Sequence, residues 1–183
     1  MVVLVVDNTS PYAADILACL DQLDISYLYR RFGEVSYSDI IRCSSVILSG
    51  RRKYDKSINM VNSRIANYCH NNYKPLLGIC YGAQIIALTF GGSIYKMPTN
   101  VHGMTVISVS DQNSLVGDKQ SMLVYESHRY CIAKLPSDFR SIASSKYCKY
   151  EVFLNERGIY GIQFHPEKSG RDGLALLKNF TKI

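Results

Sequence analysis

Gly78-Ile79-Cys80-Tyr81-Gly82-Ala83-Gln84 is the stretch whose reading decides the fold. The apolar run from Pro75 to Ile79 leads into it and reads as a buried strand, and Ile85 to Phe90 beyond it reads as a helix. Cys80 stands at the junction, with Gly78 and Gly82 on either side. A strand that turns at once into a helix forces its junction residue into strained backbone. Glycines flank such a turn because a Cβ there would clash. The elbow lifts one side chain clear of the sheet and aims a helix N-terminus at it. Free N–H groups and the helix dipole at that end favour an anion, here a thiolate or an oxyanion.

A second segment completes the chemistry. Tyr160-Gly161-Ile162-Gln163-Phe164-His165-Pro166-Glu167 reads as a strand that ends in a histidine and a glutamate. A cysteine nucleophile needs a base to generate its thiolate, and the base needs a third group to orient it. His165 and Glu167 supply both, and Pro166 between them restrains the backbone.

Cys80, His165 and Glu167 in this order, within these two motifs, resemble the class I glutamine amidotransferases. The likeness runs from Asp7-Asn8 to the last helix. It implies an α/β fold: a three-layer, flavodoxin-like sandwich in one domain over residues 1–183. A mainly parallel central sheet carries helices on both faces and a mixed or antiparallel extension. It also implies cleavage of the glutamine side-chain amide through a Cys80 γ-glutamyl thioester, with ammonia passed to a synthase. His165 would be the base and Glu167 its orienter. Gln84, one turn into the helix, would contact bound glutamine, and Tyr81 and Gly82 of the elbow would bind it as well. The backbone of Ser127-His128-Arg129 would bind its α-amino and α-carboxylate groups. Gly50 and Arg51 would form the oxyanion loop. The family usually has a second glycine where Arg51 stands, and arginine is poor at positive φ. This predicts a misformed loop and a slow glutaminase in the isolated chain.

Within the family, the Cys-Tyr-Gly-Ala-Gln elbow and the Ser127-His128 order are nearest the separate glutaminase subunit of GMP synthase. The tail from Glu167 to Gly170 resembles that of imidazole glycerol phosphate synthase. His102-Gly103-Met104-Thr105 is similar to the anthranilate and aminodeoxychorismate synthase glutaminases. Two further readings stay open: a glutaminase-like regulatory subunit without turnover, and a stand-alone γ-glutamyl hydrolase. No ATP-pyrophosphatase region is present, so the acceptor chemistry is expected on a separate synthase polypeptide. ATP and magnesium are expected only there, with no cofactor and no metal on this chain.

The rest of the sequence bounds these readings. At 183 residues and 47% apolar, the chain reads as one domain with its own core. No charge occurs between Lys74 and Lys96, a span long enough for a bilayer, but Pro75, Gln84 and four glycines interrupt it. No membrane segment is therefore expected. Six cysteines without a CxxC pair or a ligand cluster, and no leader ahead of them, point to a reducing cytoplasm and small buried hydrophobes. The net charge of +6 is scattered, with short runs at Arg30-Arg31 and Arg51-Arg52-Lys53. It favours an acidic protein partner over nucleic acid, for which there is no motif.

Periodicity places a strand over Met1–Val6, a helix capped at Ser10-Pro11, a strand over Ser44–Leu48 and a helix capped by Ser57. Beyond Gly92, short alternating segments at 105–109, 122–125, 140–143, 150–154 and 159–164 predict the sheet extension. A closing helix follows around Leu174–Phe180.

Overall fold

A computed structural model describes residues 1–52 and 55–183. Lys53 of the basic run lies outside the described residues. Along the chain come β1 (Val3–Asp7), α1 (Ala13–Gln22), β2 (Tyr27–Arg31), α2 (Tyr37–Arg42), β3 (Ser45–Leu48), α3 (Lys56–Asn71), β4 (Leu76–Ile79) and α4 (Tyr81–Thr89). They are followed by β5 (Ser93–Val109), β6 (Ser121–Lys134), β7 (Arg140–Ser144), β8 (Val152–Leu154), β9 (Ile159–Ile162) and α5 (Gly170–Phe180). One nine-stranded sheet has the order β2-β1-β3-β4-β9-β8-β7-β5-β6. The first five strands in that order pair in parallel, and β8, β7, β5 and β6 extend the sheet antiparallel.

Alternation along the central strands explains the layers. Val3 and Val5 of β1 face a core shared with Ile16 and Leu20 of α1 and Leu176, Leu177 and Phe180 of α5. Leu4 and Val6 face the opposite core, built with Ile58 and Ile65 of α3 and Ala83 and Ile86 of α4. Because both faces are covered, the strands read as continuous apolar runs rather than alternating ones. No described helix is long and apolar enough to cross a membrane.

The α/β sandwich with an antiparallel extension matches the sequence reading, with local corrections. β2 and α2 have no counterpart in it. α1 begins at Ala13, two residues beyond Pro11, and the Ser10 hydroxyl instead accepts from the Tyr12 amide at 3.2 Å in the turn before the helix. The cap of α3 is Asp55, whose carboxylate accepts from the Ser57 amide at 2.7 Å. α4 starts at Tyr81, directly after the cysteine, not at Ile85. Cys131 and Cys148 are joined in a disulfide, so these two are not independent buried hydrophobes.

Candidate active site

Register brings the two motifs together. β4 and β9 are parallel neighbours with Gly78 opposite Gly161 and Ile79 opposite Ile162. The chain therefore leaves both strands at the same edge, Cys80 from one and the His165 segment from the other. β3 lies on the other side of β4, with Leu48 opposite Gly78, and delivers Ser49-Gly50-Arg51 to the same edge. Carboxyl ends of parallel strands are where α/β sheets place their ligands.

The elbow is strained as its sequence predicts. Cys80 has φ 50° and ψ −100°, outside ordinary L-residue conformations. Its amide donates to the Ile162 carbonyl at 2.8 Å and its carbonyl accepts from the Gln84 amide at 3.0 Å, which fixes it from both sides. A Cβ on Gly78 would lie 2.5 Å from the Gly82 backbone, and one on Gly82 would lie 2.4 Å from the Leu48 carbonyl oxygen. Close approach of helix, elbow and strand demands both glycines.

His165 is buried, and its Nδ1 lies 2.8 Å from Glu167 Oε1. Burial alone would lower its pKa. The charge and hydrogen bonding of Cys80, followed by those of Glu167, outweigh this and hold it well above the usual imidazole value. The His165 amide donates to the Tyr125 carbonyl at 2.9 Å, tying the turn to β6. Cys80 and His165 border one cavity of about 420 Å³ with Tyr12, Arg51, Arg52 and Ser127. An adjoining cavity of about 640 Å³ is lined in part by Cys80, Tyr81, Gln84, Ser127, His128 and Arg129.

Each residue singled out in the sequence can now be placed. Gly82 seats the helix on β3, and a Cβ on Gly50 would come within 3.0 Å of the His165 ring. Gln84 donates to the Tyr130 carbonyl at 2.9 Å and approaches Gln163 Oε1 at 3.5 Å. His128 is bound at Nε2 to Glu126 (2.8 Å) and faces the Tyr130 carbonyl with Nδ1 (3.1 Å). Burial lowers its pKa, and both ring nitrogens are already engaged, at Glu126 and at the Tyr130 carbonyl.

The positive-φ premise behind the expectation for Arg51 does not hold. Neither Gly50 nor Arg51 has positive φ. The Ser49 hydroxyl donates to the Gly50 carbonyl at 2.9 Å, while Ser49 is itself held by the Asn8 amide and side chain. Asn8 and Asn62 exchange further buried hydrogen bonds at 3.0 and 2.7 Å. The Arg51 guanidinium stacks 3.9 Å over the Tyr81 ring and donates to Asn59, which also accepts from the Tyr81 hydroxyl. A trans peptide points its C=O and N–H in opposite directions. Fixing the Gly50 carbonyl on Ser49 therefore fixes the Arg51 N–H on the far side. Arginine is accommodated here without positive φ.

Three features escape the sequence reading. Tyr12 packs its ring edge-on against His165 at 4.8 Å and places its hydroxyl 3.4 Å from Ser127 Oγ. Gln163 points its amide at Cys80 Sγ (3.8 Å); its spacing of two from His165 in an extended segment was the available signal. Glu126 and Glu151 are both fully buried, each keeps one carboxylate oxygen without a hydrogen-bond partner among the described residues, and burial raises the pKa of each. The separation of Glu126 and His128 by two residues on one strand puts them on one face, but nothing local marks Glu151 as a partner.

A family model described as glutamine amidotransferase class-I matches residues 4–183. The chain belongs to the class I glutamine amidotransferases. It is thereby an enzyme of glutamine hydrolysis. It is 35% identical over 157 residues to the glutamine-hydrolysing GMP synthase subunit of Thermoplasma acidophilum, covering 82% of this chain and 76% of that protein. Against the corresponding Sulfolobus acidocaldarius protein, identity is 39% over 112 residues, 60% of each chain. The chain spans about a third of the single-chain GMP synthases of Aliivibrio fischeri, aligning over 98% of its own length and 35% of theirs at 30% identity. A crystal structure from Thermoplasma acidophilum, assigned as a GMP synthase subunit, superposes with TM-score 0.88 at 30% identity, covering 100% of this amidotransferase and 92% of that chain.

Proposed function

We propose that Cys80 is the nucleophile of glutamine hydrolysis, with His165 its base and Glu167 the group that orients the imidazole. The convergence of these three at one sheet edge, with His165 coupled to both partners, carries the reading. The thiol proton passes to His165 and the sulfur attacks the glutamine Cδ. As the tetrahedral intermediate collapses, His165 returns the proton to the departing ammonia. Water, activated by the same imidazole, then hydrolyses the γ-glutamyl thioester to glutamate. The oxyanion is stabilised by the backbone of the Gly50-Arg51 loop and by the positive end of the α4 dipole. Gln84, Tyr81 and Ser127-His128-Arg129 form the glutamine-binding walls.

The ammonia passes to a separate synthase polypeptide that converts XMP to GMP. The relatives from Sulfolobus acidocaldarius, Thermoplasma acidophilum and Methanocaldococcus jannaschii each bear the name of a glutamine-hydrolysing GMP synthase subunit, which supports this acceptor over the alternatives. Glutaminase chemistry of this kind needs no cofactor on the chain; ATP and magnesium serve the synthase. Arg51 without positive φ weakens the case for a subunit without turnover, and supports glutamine hydrolysis by the purified chain alone. The test is glutamate and ammonia release by the chain alone and with a GMP synthase ATP-pyrophosphatase subunit plus XMP and ATP. GMP made from glutamine only when both chains are present supports the reading. Glutamate release with no GMP from any such pairing would refute the acceptor, and no glutamate release in any mixture would refute the triad.

A further inference from the structure

Beside the larger cavity, which His128 lines, two strands and a loop bring together four soft or borderline donors. His128 and Cys131 come from β6, Met97 from β5, and Cys148 from the segment between β7 and β8. All four are buried. The ligand atoms of His128, Cys131 and Cys148 lie within 4.8 Å of one another. Cys131 Sγ is 4.0 Å from His128 Nδ1 and 3.4 Å from Met97 Sδ.

A cross-link alone would need only the two sulfurs. Here an imidazole nitrogen and a thioether sulfur, both of buried residues, also approach Cys131 Sγ to 4.0 and 3.4 Å. The far nitrogen of His128 lies 2.8 Å from the buried Glu126 carboxyl. Metal-binding histidines commonly carry such a carboxylate partner, which fixes the tautomer that leaves the other nitrogen free.

We propose that, with Cys131 and Cys148 reduced, these residues bind one thiophilic d10 cation, Zn²⁺ or Cu⁺. Ligation by Cys131, Cys148 and His128 gives the Cys₂His set used for zinc, and Met97 adds the thioether that favours cuprous ion. In a tetrahedral site, bonds of about 2.3 Å to sulfur and 2.0–2.1 Å to nitrogen set donors roughly 3.5–3.8 Å apart. The observed Sγ–Nδ1 and Sγ–Sδ separations bracket that spacing. The sulfurs reach it when a dithiol reductant cleaves their bond, itself becoming a disulfide. Each thiol then releases one proton to solvent as its sulfur takes the cation. The ring proton resides on Nε2 facing Glu126, and Nδ1 exchanges its contact with the Tyr130 carbonyl for the cation. Loading fixes His128, a wall of the candidate glutamine cavity.

The experiment uses the full chain with Cys80→Ser, so that the elbow thiol contributes no ligand, while Cys19, Cys43 and Cys69 remain as internal controls. Protein reduced anaerobically and protein with the Cys131–Cys148 bond intact are each titrated with Zn²⁺ and Cu⁺ against chromophoric chelators. Co²⁺ serves as a spectroscopic substitute for zinc. The reduced form is expected to bind one equivalent of at least one of the two cations, and the oxidised form none. Bound Co²⁺ should show thiolate charge transfer and the intense visible bands of a tetrahedral site. Further substitution of Cys131→Ser or Cys148→Ser should abolish binding. Glu126→Gln should weaken it by about 10- to 100-fold. Equal binding by the two redox forms, which requires no folded variant, would overturn the proposal. So would failure of the reduced form to bind either cation, or binding that survives loss of both cysteines.

Discussion

Gly82→Ala tests the packing that aims Cys80. The added Cβ would sit 2.4 Å from the Leu48 carbonyl oxygen and 3.0 Å from Leu48 Cβ. Ordinary contact begins at 3.4 Å, so α4 must retreat from β3 by about 1 Å. Backbone on both sides leaves no flexible side chain to yield. Overpacking of this kind costs about 1–3 kcal/mol. At about 2–4 °C per kcal/mol for a chain of this size, Tm should fall by roughly 2–12 °C. The same displacement shifts Cys80, at the foot of α4, relative to His165 on the turn after β9. A 1 Å misplacement can cost about 100-fold in rate, so kcat/KM for glutamine should drop by that order. Glutamate release and thermal unfolding would be measured beside Gly33→Ala, whose Cβ meets nothing within 4 Å. Wild-type activity and Tm in Gly82→Ala would refute the account of the elbow.

Three other outcomes follow from named contacts. Burial opposes the charge of His165, and Cys80 and Glu167 overcome it, so the alkaline limb of the glutaminase pH profile should move to lower pH in Glu167→Gln. The stability that Glu167 lends through His165 is present below the unfolded value of about 6.5 and is lost as pH rises through the raised folded value; a wild-type advantage in urea midpoint that grows with pH would contradict this. For Asp39, hydrogen bonding from the Ser36 amide is the largest influence; with the Ser36 hydroxyl and Arg30, and against burial, it sets the pKa at about 2. This stability is complete above the unfolded value near 3.9 and vanishes as pH falls through about 2, so Asp39→Asn should flatten acid unfolding in that window, and an unchanged slope would count against the assignment. Tyr12→Phe keeps the ring against His165 and should leave kcat near wild type, whereas Tyr12→Ala should lower it by up to about tenfold, given about 0.5–1.5 kcal/mol for an aromatic contact; equal damage from both would show that the hydroxyl on Ser127 matters instead.

Residues whose role is local were legible in the sequence. Gly78, Cys80 and Gly82 announce the elbow because sterics at a strand-to-helix turn act over a few residues. His165-Pro166-Glu167 announces the buried contact of His165 with Glu167 for the same reason. β2 was silent because it is a half-buried edge strand, Tyr27-Leu28-Tyr29-Arg30-Arg31, with neither an apolar run nor alternation. α2 has only six residues, too few for periodicity, although Ser36 and Asp39 form a capping box that could have been read. Arg51 misled because its side chain was weighed against a glycine pattern, while its backbone is set by Ser49, Asn8 and Asn62, which are distant in sequence. The pairing of Cys131 with Cys148 and of Glu126 with Glu151 depends on β6 lying near the β7–β8 connection, which only the complete sheet defines.

The central claim is that Cys80 attacks glutamine with His165 as its base. The most direct measurement is mass spectrometry of the chain quenched in acid during turnover of isotopically labelled glutamine. The account predicts a labelled γ-glutamyl group on the peptide bearing Cys80 and on no other cysteine peptide. It should vanish in Cys80→Ala and be greatly diminished in His165→Ala. Label on another cysteine, or glutamate release undiminished in Cys80→Ala, would contradict it.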